Sequence, residues 1–320
     1  MQPTTGPQWG NQTSTSEFIL LGFGEHAELQ FFLFLLFLVI YMVTVAGNLL
    51  IMALIVVDPH LHTPMYFFLG NLSCLETCYS SAILPRLLAS LLTGDRSISV
   101  TGCLVQLYFF GSLVDTECYL LAVMSYDRYL AICKPLYYST QMSKRFCLWL
   151  AAGSWISAFL AVIVVIVLLS QLIFCGPNEM DHFFCDLTPM IKLSCSDTRK
   201  MELVTYVGSI LFTLPPFLLT LTSYIYIIMA ILHIPSPDGK QKAFSTCSSH
   251  LIVVSVFYGT LIVVYLLPKT EMLRELNKVF SLCYTVVTPL LNPLVYSLRN
   301  KDVKVAFRKA IGKWVAFANS

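Results

Sequence analysis

Apolar residues gather in seven long blocks, at roughly 29–57, 64–92, 98–133, 143–169, 200–232, 241–267 and 272–298, with polar stretches between them. A helix rises about 1.5 Å per residue, so about 20 consecutive apolar residues cross the hydrocarbon of a bilayer. Blocks of this length predict an all-α membrane protein, a seven-transmembrane helix bundle. No fixed-period repeat, Gly/Ser linker or long charge run divides them, which argues for one domain at 29–298 with tails at 1–28 and 299–320. In the second tail Val303, Ala306, Phe307 and Ala310 recur at three- and four-residue spacing among Lys301, Lys304, Arg308, Lys309 and Lys313. That pattern predicts a short amphipathic helix lying on the membrane surface. Pro85, Pro215, Pro216, Pro289 and Pro293 fall inside the blocks, where each removes a backbone hydrogen bond and marks a candidate hinge.

Composition supports the membrane reading: 57% of the residues are hydrophobic and 12% charged, about half the charged share of an ordinary soluble domain. Charge then sets the orientation, because Lys and Arg are retained on the cytoplasmic side. With the N-terminus outside, the inner segments hold Arg128, Lys134, Lys144, Arg145, Lys240, Lys242, Arg299 and the basic tail, against Asp58, Asp127, Asp238 and Asp302. The expected location is the plasma membrane, multi-pass, with an extracellular N-terminus, a cytoplasmic C-terminus and lipid around the bundle. The first tail carries Glu17, Glu25 and Glu28 with no Lys or Arg, lacks the marks of a signal peptide, and offers the sequon Asn11-Gln12-Thr13 for glycosylation. A second match, Asn71-Leu72-Ser73, falls inside a span. No soluble domain or nucleophile–base motif points to an enzyme. A transporter would show related halves, which are not found, and no nucleic-acid partner is expected.

Of the eleven cysteines, four face the oxidising side: Cys103, Cys175, Cys185 and Cys195. Four cysteines allow three pairings, and Cys103 can tie the long outer loop at 170–199 over the bundle with any of the other three. Aromatic residues and turn formers in that loop, Cys175-Gly176-Pro177-Asn178 and His182-Phe183-Phe184-Cys185-Asp186, suit a lid over a ligand entrance.

Ionisable groups within a span are costly and mark function by default. Glu76 and Glu117 fall at similar mid-membrane depth on the second and third spans. Two carboxyls at one depth can share a proton or bracket a small cation such as sodium; no other cofactor is expected. Asp115 points elsewhere, since two residues along a helix is about 200° of rotation. It joins Phe110, Gly111, Val114 and Cys118 on a stripe below Cys103, where a pocket open to the outside belongs. There a carboxylate can pair an amine or accept a hydrogen bond from a hydroxyl. At the inner end of the third span, Asp127-Arg128-Tyr129 sets an acid beside a permanent guanidinium, a candidate lock between two states. Asn292-Pro293-Leu294-Val295-Tyr296 closes the seventh span, and Tyr224 lies at comparable depth on the fifth. These polar groups around a proline are candidate parts of the same activation switch.

Together these segments carry a family resemblance from Phe18 to Lys304. Gly47-Asn48, the run Leu61-His62-Thr63-Pro64-Met65-Tyr66-Phe67-Phe68-Leu69, and Met124-Ser125-Tyr126-Asp127-Arg128-Tyr129-Leu130-Ala131-Ile132-Cys133 belong to it. So do Lys242 to Leu251, read Lys-Ala-Phe-Ser-Thr-Cys-Ser-Ser-His-Leu, and Pro289 to Asn300, read Pro-Leu-Leu-Asn-Pro-Leu-Val-Tyr-Ser-Leu-Arg-Asn. The chain resembles an olfactory receptor, of the tetrapod-type class within the rhodopsin-like G-protein-coupled receptors. The resemblance implies a receptor for small volatile odorants that signals through a stimulatory, olfactory-type G protein to raise cyclic AMP. It implies disulfides Cys103–Cys185 and Cys175–Cys195. It also implies a pocket among the third, fifth and sixth spans, which by position comprises Phe110, Gly111, Val114, Asp115, Cys118, Gly208, Ser209, Phe212, Tyr258, Leu261, Ile262 and Tyr265. Ser125 stands where Ala is usual in that family and Glu76 where Asp is frequent. Asp115 is less usual at its position and points towards basic or hydroxylated ligands.

Overall fold

The computed structural model describes residues 15–23, 27–175, 177–266, 278–299 and 301–318. The apolar blocks form helices α1 (Ala27–Val57), α2 (Pro64–Thr93), α3 (Val100–Cys133), α5 (Lys144–Ser170), α7 (Arg199–Leu232) and α8 (Pro237–Leu261), with α4 (Pro135–Gln141) as a short turn of helix between α3 and α5. A π-helical turn, Ile262–Leu266, extends α8, and the seventh span runs from Lys278 through a second π-helical turn, Cys283–Val287, into α9 (Thr288–Arg299). Pro289 has no N–H to continue the ladder, and the turn ends on the Cys283 carbonyl, which accepts from both the Thr288 N–H and Thr288 Oγ1, the latter at 3.1 Å. Outside the membrane lie α6 (Leu187–Lys192), in the long outer loop, and α10 (Lys301–Ala318), after the last span.

Serine and aspartate side chains fix where several helices begin, because each accepts from an N–H of the first turn that the helix leaves unpaired. Ser99 caps α3 at Gly102, Ser143 caps α5 at Phe146, Ser236 caps α8 at Gly239, and Asp186 caps α6 at Leu187. α2 starts on Pro64 and stops at Gly94, whose φ of 75° lies in the left-handed region that glycine tolerates.

Among the described residues five spans are long and apolar enough to cross a membrane on those criteria alone. α2, at 30 residues, and α8, at 25, are long enough but more polar. The reason for α2 is where its polar groups point: Ser73, Glu76 and Ser80 are buried in the bundle rather than turned to lipid. At the other extreme α1 leaves most of its apolar surface outside, as a lipid-facing helix does. Gly47 explains how α1 reaches the seventh span. A Cβ there would meet the Cβ of Pro293 at 2.9 Å, so only glycine admits that contact.

The segment 1–28 is more than the tail its polarity suggests. Residues β1 (Glu17–Leu20) form a strand between β2 (Ser97–Ser99), antiparallel, and β3 (Glu179–Met180), parallel. Phe18 is fully buried and meets the Phe174 ring edge-on at 5.1 Å. Asn11 and Glu25 lie outside the described residues. On the inner side, Tyr66 donates to Asp302 at 2.9 Å and Lys309 approaches Asp58 at 3.9 Å, which seats α10 beneath α1 and α2. Val303 and Ala306 are buried there, while Phe307 and Ile311 stay exposed as an apolar surface fit for the bilayer.

Candidate functional site

A cavity of about 600 Å³ opens in the outer half of the bundle, between α3, α5 and α7 and under the long outer loop. α3 contributes Leu107, Phe110, Gly111, Val114 and Asp115. Two successive turns of one helix face bring them together, as their spacing predicts. α7 supplies Gly208, Ser209 and Phe212, and α8 supplies Leu261. The wall is mostly aliphatic and aromatic, with Thr205, Ser209 and Thr213 as its hydroxyl residues and Asp115 and Asp186 as its carboxyl residues. Asp115 has only burial acting on it, with no donor or cation beside it among the described residues.

Two of the predicted pocket residues sit beneath this cavity rather than on its wall. Cys118 and Tyr258 are buried, and the Tyr258 hydroxyl donates to the Cys118 carbonyl at 2.7 Å, pinning α8 to α3. Ile262 is not among the wall residues, and the side chain of Tyr265 lies outside the described residues. The reading missed the α5 wall of Ala161, Val162, Val164 and Val165, together with the roof residues Asp186 and Leu187. The outer half of the fourth span, 158–169, is apolar throughout and has no polar marker to show which face turns inward. Asp186, next to Cys185, was legible as part of the lid.

One layer further in, α2, α3 and α9 meet around a polar cluster. Asn292 donates from Nδ2 to Glu76 Oε1, and Glu76 and Glu117 are both fully buried. Among the described residues, and apart from each other, Glu76 Oε2 and both Glu117 oxygens have no hydrogen-bond partner, and the nearby Tyr79 hydroxyl and Asn292 Oδ1 are equally unmatched. An unmatched buried polar group costs about 1–3 kcal/mol, and more when charged, so two bare carboxylates here would be unfavourable. Asn48 fastens α1 to the same region, donating to Thr44 O at 3.0 Å and Pro289 O at 3.4 Å.

At the inner end of α3, Asp127 accepts a hydrogen bond from Tyr138 of α4 at 2.9 Å. The neighbouring Arg128 is close enough to α8 to bear on His250 and Cys247, and its Nη2 is buried without a hydrogen-bond partner among the described residues. Tyr224 of α7 bonds His250 Nδ1 at 2.5 Å, and Tyr129 packs with Tyr226 at 5.8 Å between ring centres. The acid of this run is thus held by α4, while the charge of Arg128 bears on Asp127 as well as on α8. The side chain of Tyr296 lies outside the described residues.

These features match a known group of proteins. The sequence profile of the olfactory receptor family fits residues 37–313. Olfactory receptor 5M5 of Mus musculus is 50% identical over 94% of this chain and 95% of its own length. Olfactory receptor 9G4 of Homo sapiens is 52% identical over 94% of this chain and 92% of its own length. The chain belongs to the olfactory receptor family. It is therefore a seven-transmembrane G-protein-coupled receptor and a multi-pass membrane protein, not an enzyme.

In this olfactory receptor the outer loop is held by two disulfides, Cys103–Cys185 and Cys175–Cys195, the pairings that the resemblance implied. Gln106 reinforces the first, its Oε1 accepting from the Cys185 N–H at 3.0 Å. Below the loop, Phe110, Phe184 and Tyr284 form an aromatic core, with Phe110 and Phe184 at 4.8 Å. His182 is buried against Phe183 and Phe184, and its Nε2 meets Ser281 Oγ of the seventh span at 3.3 Å. Burial lowers the His182 pKa; Lys278 adds to this, while Asp186 and Asp181 oppose it. Lys278 itself pairs with Asp181, tying the seventh span to the loop a second time. The sequon at Asn71 is part of the bundle: its side chain donates to Phe67 O and accepts from Trp155 Nε1 at 3.3 Å.

Proposed function

We propose that this olfactory receptor binds a small volatile odorant in the outer cavity and activates a stimulatory, olfactory-type G protein that raises cyclic AMP. The observation that carries the reading is the cavity itself: about 600 Å³ of largely apolar wall with an unpaired carboxyl, Asp115, on it. Such a wall rewards burial of a hydrocarbon body at about 25 cal/mol per Å² and fixes its polar head at one point. An amine or hydroxyl head satisfies Asp115. Cys118 and Tyr258 belong to the transmission path, since a ligand that shifts α3 against α8 strains the hydrogen bond between them.

The inner end follows from the same residues. Arg128, unpaired at Nη2, and the Tyr224–His250 contact stand where α3, α7 and α8 meet, so a G protein that offers carbonyls to Arg128 favours the state in which α8 moves aside. Glu76 and Glu117 hold either one shared proton or a sodium ion, with Asn292 as the third group; both occupants remove like-charge repulsion between the acids. The receptor sits in the plasma membrane with its N-terminus, glycosylated at Asn11, outside.

The test is a cyclic AMP assay on cells expressing the full chain, challenged with a chemically diverse odorant panel. A dose-dependent response to at least one odorant is expected. A silent panel at normal surface expression contradicts the reading.

A further inference from the structure

The walls of the outer cavity do not all face the bundle interior. Four lining residues are widely exposed: Val164 of α5 at 55%, and Leu203, Val207 and Leu211 of α7 at 62%, 43% and 59%. Every other lining residue is buried or half-buried, the roof residues Asp186 and Leu187 included. All four exposed residues are aliphatic, and all lie on the two helices that flank one seam. Leu203, Val207 and Leu211 recur every four residues and so form one stripe down α7. They lie four to twelve residues below Arg199, where α7 begins; at 1.5 Å per residue this is about 6–18 Å down, the depth of an outer leaflet. A side chain that lines a cavity and also faces outward marks a rim, and in a membrane the outside at this depth is hydrocarbon.

The roof, by contrast, is held down firmly among the described residues. The Cys103–Cys185 disulfide and the Gln106 hydrogen bond hold the loop down on α3, Phe183, Phe184 and Met190 are buried beneath it, and β1 runs across loop and β2. We infer that the cavity takes its ligand from the outer leaflet, through a slot between α5 and α7, rather than from water through the roof. This inference rests on the reading of the cavity as the ligand site. The slot adds a selection that the cavity alone does not make. A bilayer concentrates a lipophilic molecule about fourfold per methylene, so longer hydrocarbon ligands arrive at higher local concentration. A permanently charged molecule stays in water and is refused at the slot, although Asp115 inside would attract it. The favoured ligand is one that enters neutral, with a single hydrogen-bonding head for Asp115 and Ser209.

The experiment uses full-length receptor in lipid nanodiscs carrying Ser209→Cys, on the inner wall, with modification at position 209 followed by peptide-resolved mass spectrometry. Two thiol reagents are compared: neutral N-ethylmaleimide, which dissolves in lipid, and a trimethylammonium methanethiosulfonate, which is confined to water. The expected result is modification by the maleimide and little by the cation. Val207→Trp, which narrows the rim, slows the maleimide reaction several-fold, while Ile228→Trp, lipid-facing on the same helix but below the cavity, leaves it unchanged. Leu211→Trp and Val164→Phe repeat the test at the same rim should Val207→Trp fail to fold. Equal rates for the two reagents, an unchanged maleimide rate in the rim variants, or no modification by either reagent would overturn the inference. No agonist is used, so a silent odorant panel alongside slot-dependent labelling would retire the odorant reading and leave the route standing.

Discussion

At the scale of single residues, the proposed function assigns ligand chemistry to Asp115 and output to Arg128. Asp115→Asn keeps the shape of the cavity wall and removes the charge. It is expected to move agonist preference away from amines in a dose–response panel, and an unchanged panel would show that the carboxyl does not meet the ligand. Arg128→Ala removes the guanidinium next to His250 and is expected to abolish odorant-evoked cyclic AMP with surface expression still measurable. Undiminished signalling would separate Arg128 from the switch. His182 carries a pH dependence whose sign follows from its burial. Its folded-state pKa is lowered, so folding favours the neutral ring; that contribution is complete above the ordinary imidazole range, about 6.5, and is lost as the pH falls below it. The thermal midpoint of purified receptor is expected to drop between pH 7 and pH 5, and His182→Gln to flatten the drop. The roles of these residues were legible to different degrees. Asp115 and Glu117 separate onto two faces of α3 by arithmetic on 3.6 residues per turn. The partner of Asp127 did not, because Tyr138 reaches it from a helix that begins after the chain turns at Pro135.

At the scale of elements, the long apolar runs read directly as helices. The strand β1 did not, because four residues carry too short a pattern and both partners, at Ser97–Ser99 and Glu179–Met180, come from distant loops. The α5 wall of the cavity was equally hidden, since the outer half of that helix, 158–169, is apolar on every side and has no periodicity to orient it. Packing between elements yields a sharp prediction at Gly47. Gly47→Val sets a branched side chain against Pro293, and overpacking of this kind costs about 1–3 kcal/mol. A lower thermal midpoint with less receptor at the cell surface is expected; a variant as stable as the parent would mean that α1 can move away from the seventh span without loss.

Across the whole molecule, α3 runs through every layer of the account. Cys103 ties its outer end to the loop, Phe110 to Asp115 line the cavity, Cys118 accepts from Tyr258, Glu117 joins the acid cluster, and Arg128 faces α8 at the inner end. Cavity, acid cluster and inner contact are therefore connected by one rigid helix of 34 residues, which makes movement of α8 against it the natural output. The most direct measurement of that claim fills the cavity and reads the far end. Gly111→Trp places a large ring where glycine now faces Val162, and cyclic AMP is recorded across the odorant panel at surface expression matched to the parent. The account predicts that odorants active on the parent lose their response while forskolin-driven cyclic AMP is unaffected. Full odorant responses in the filled receptor would contradict it.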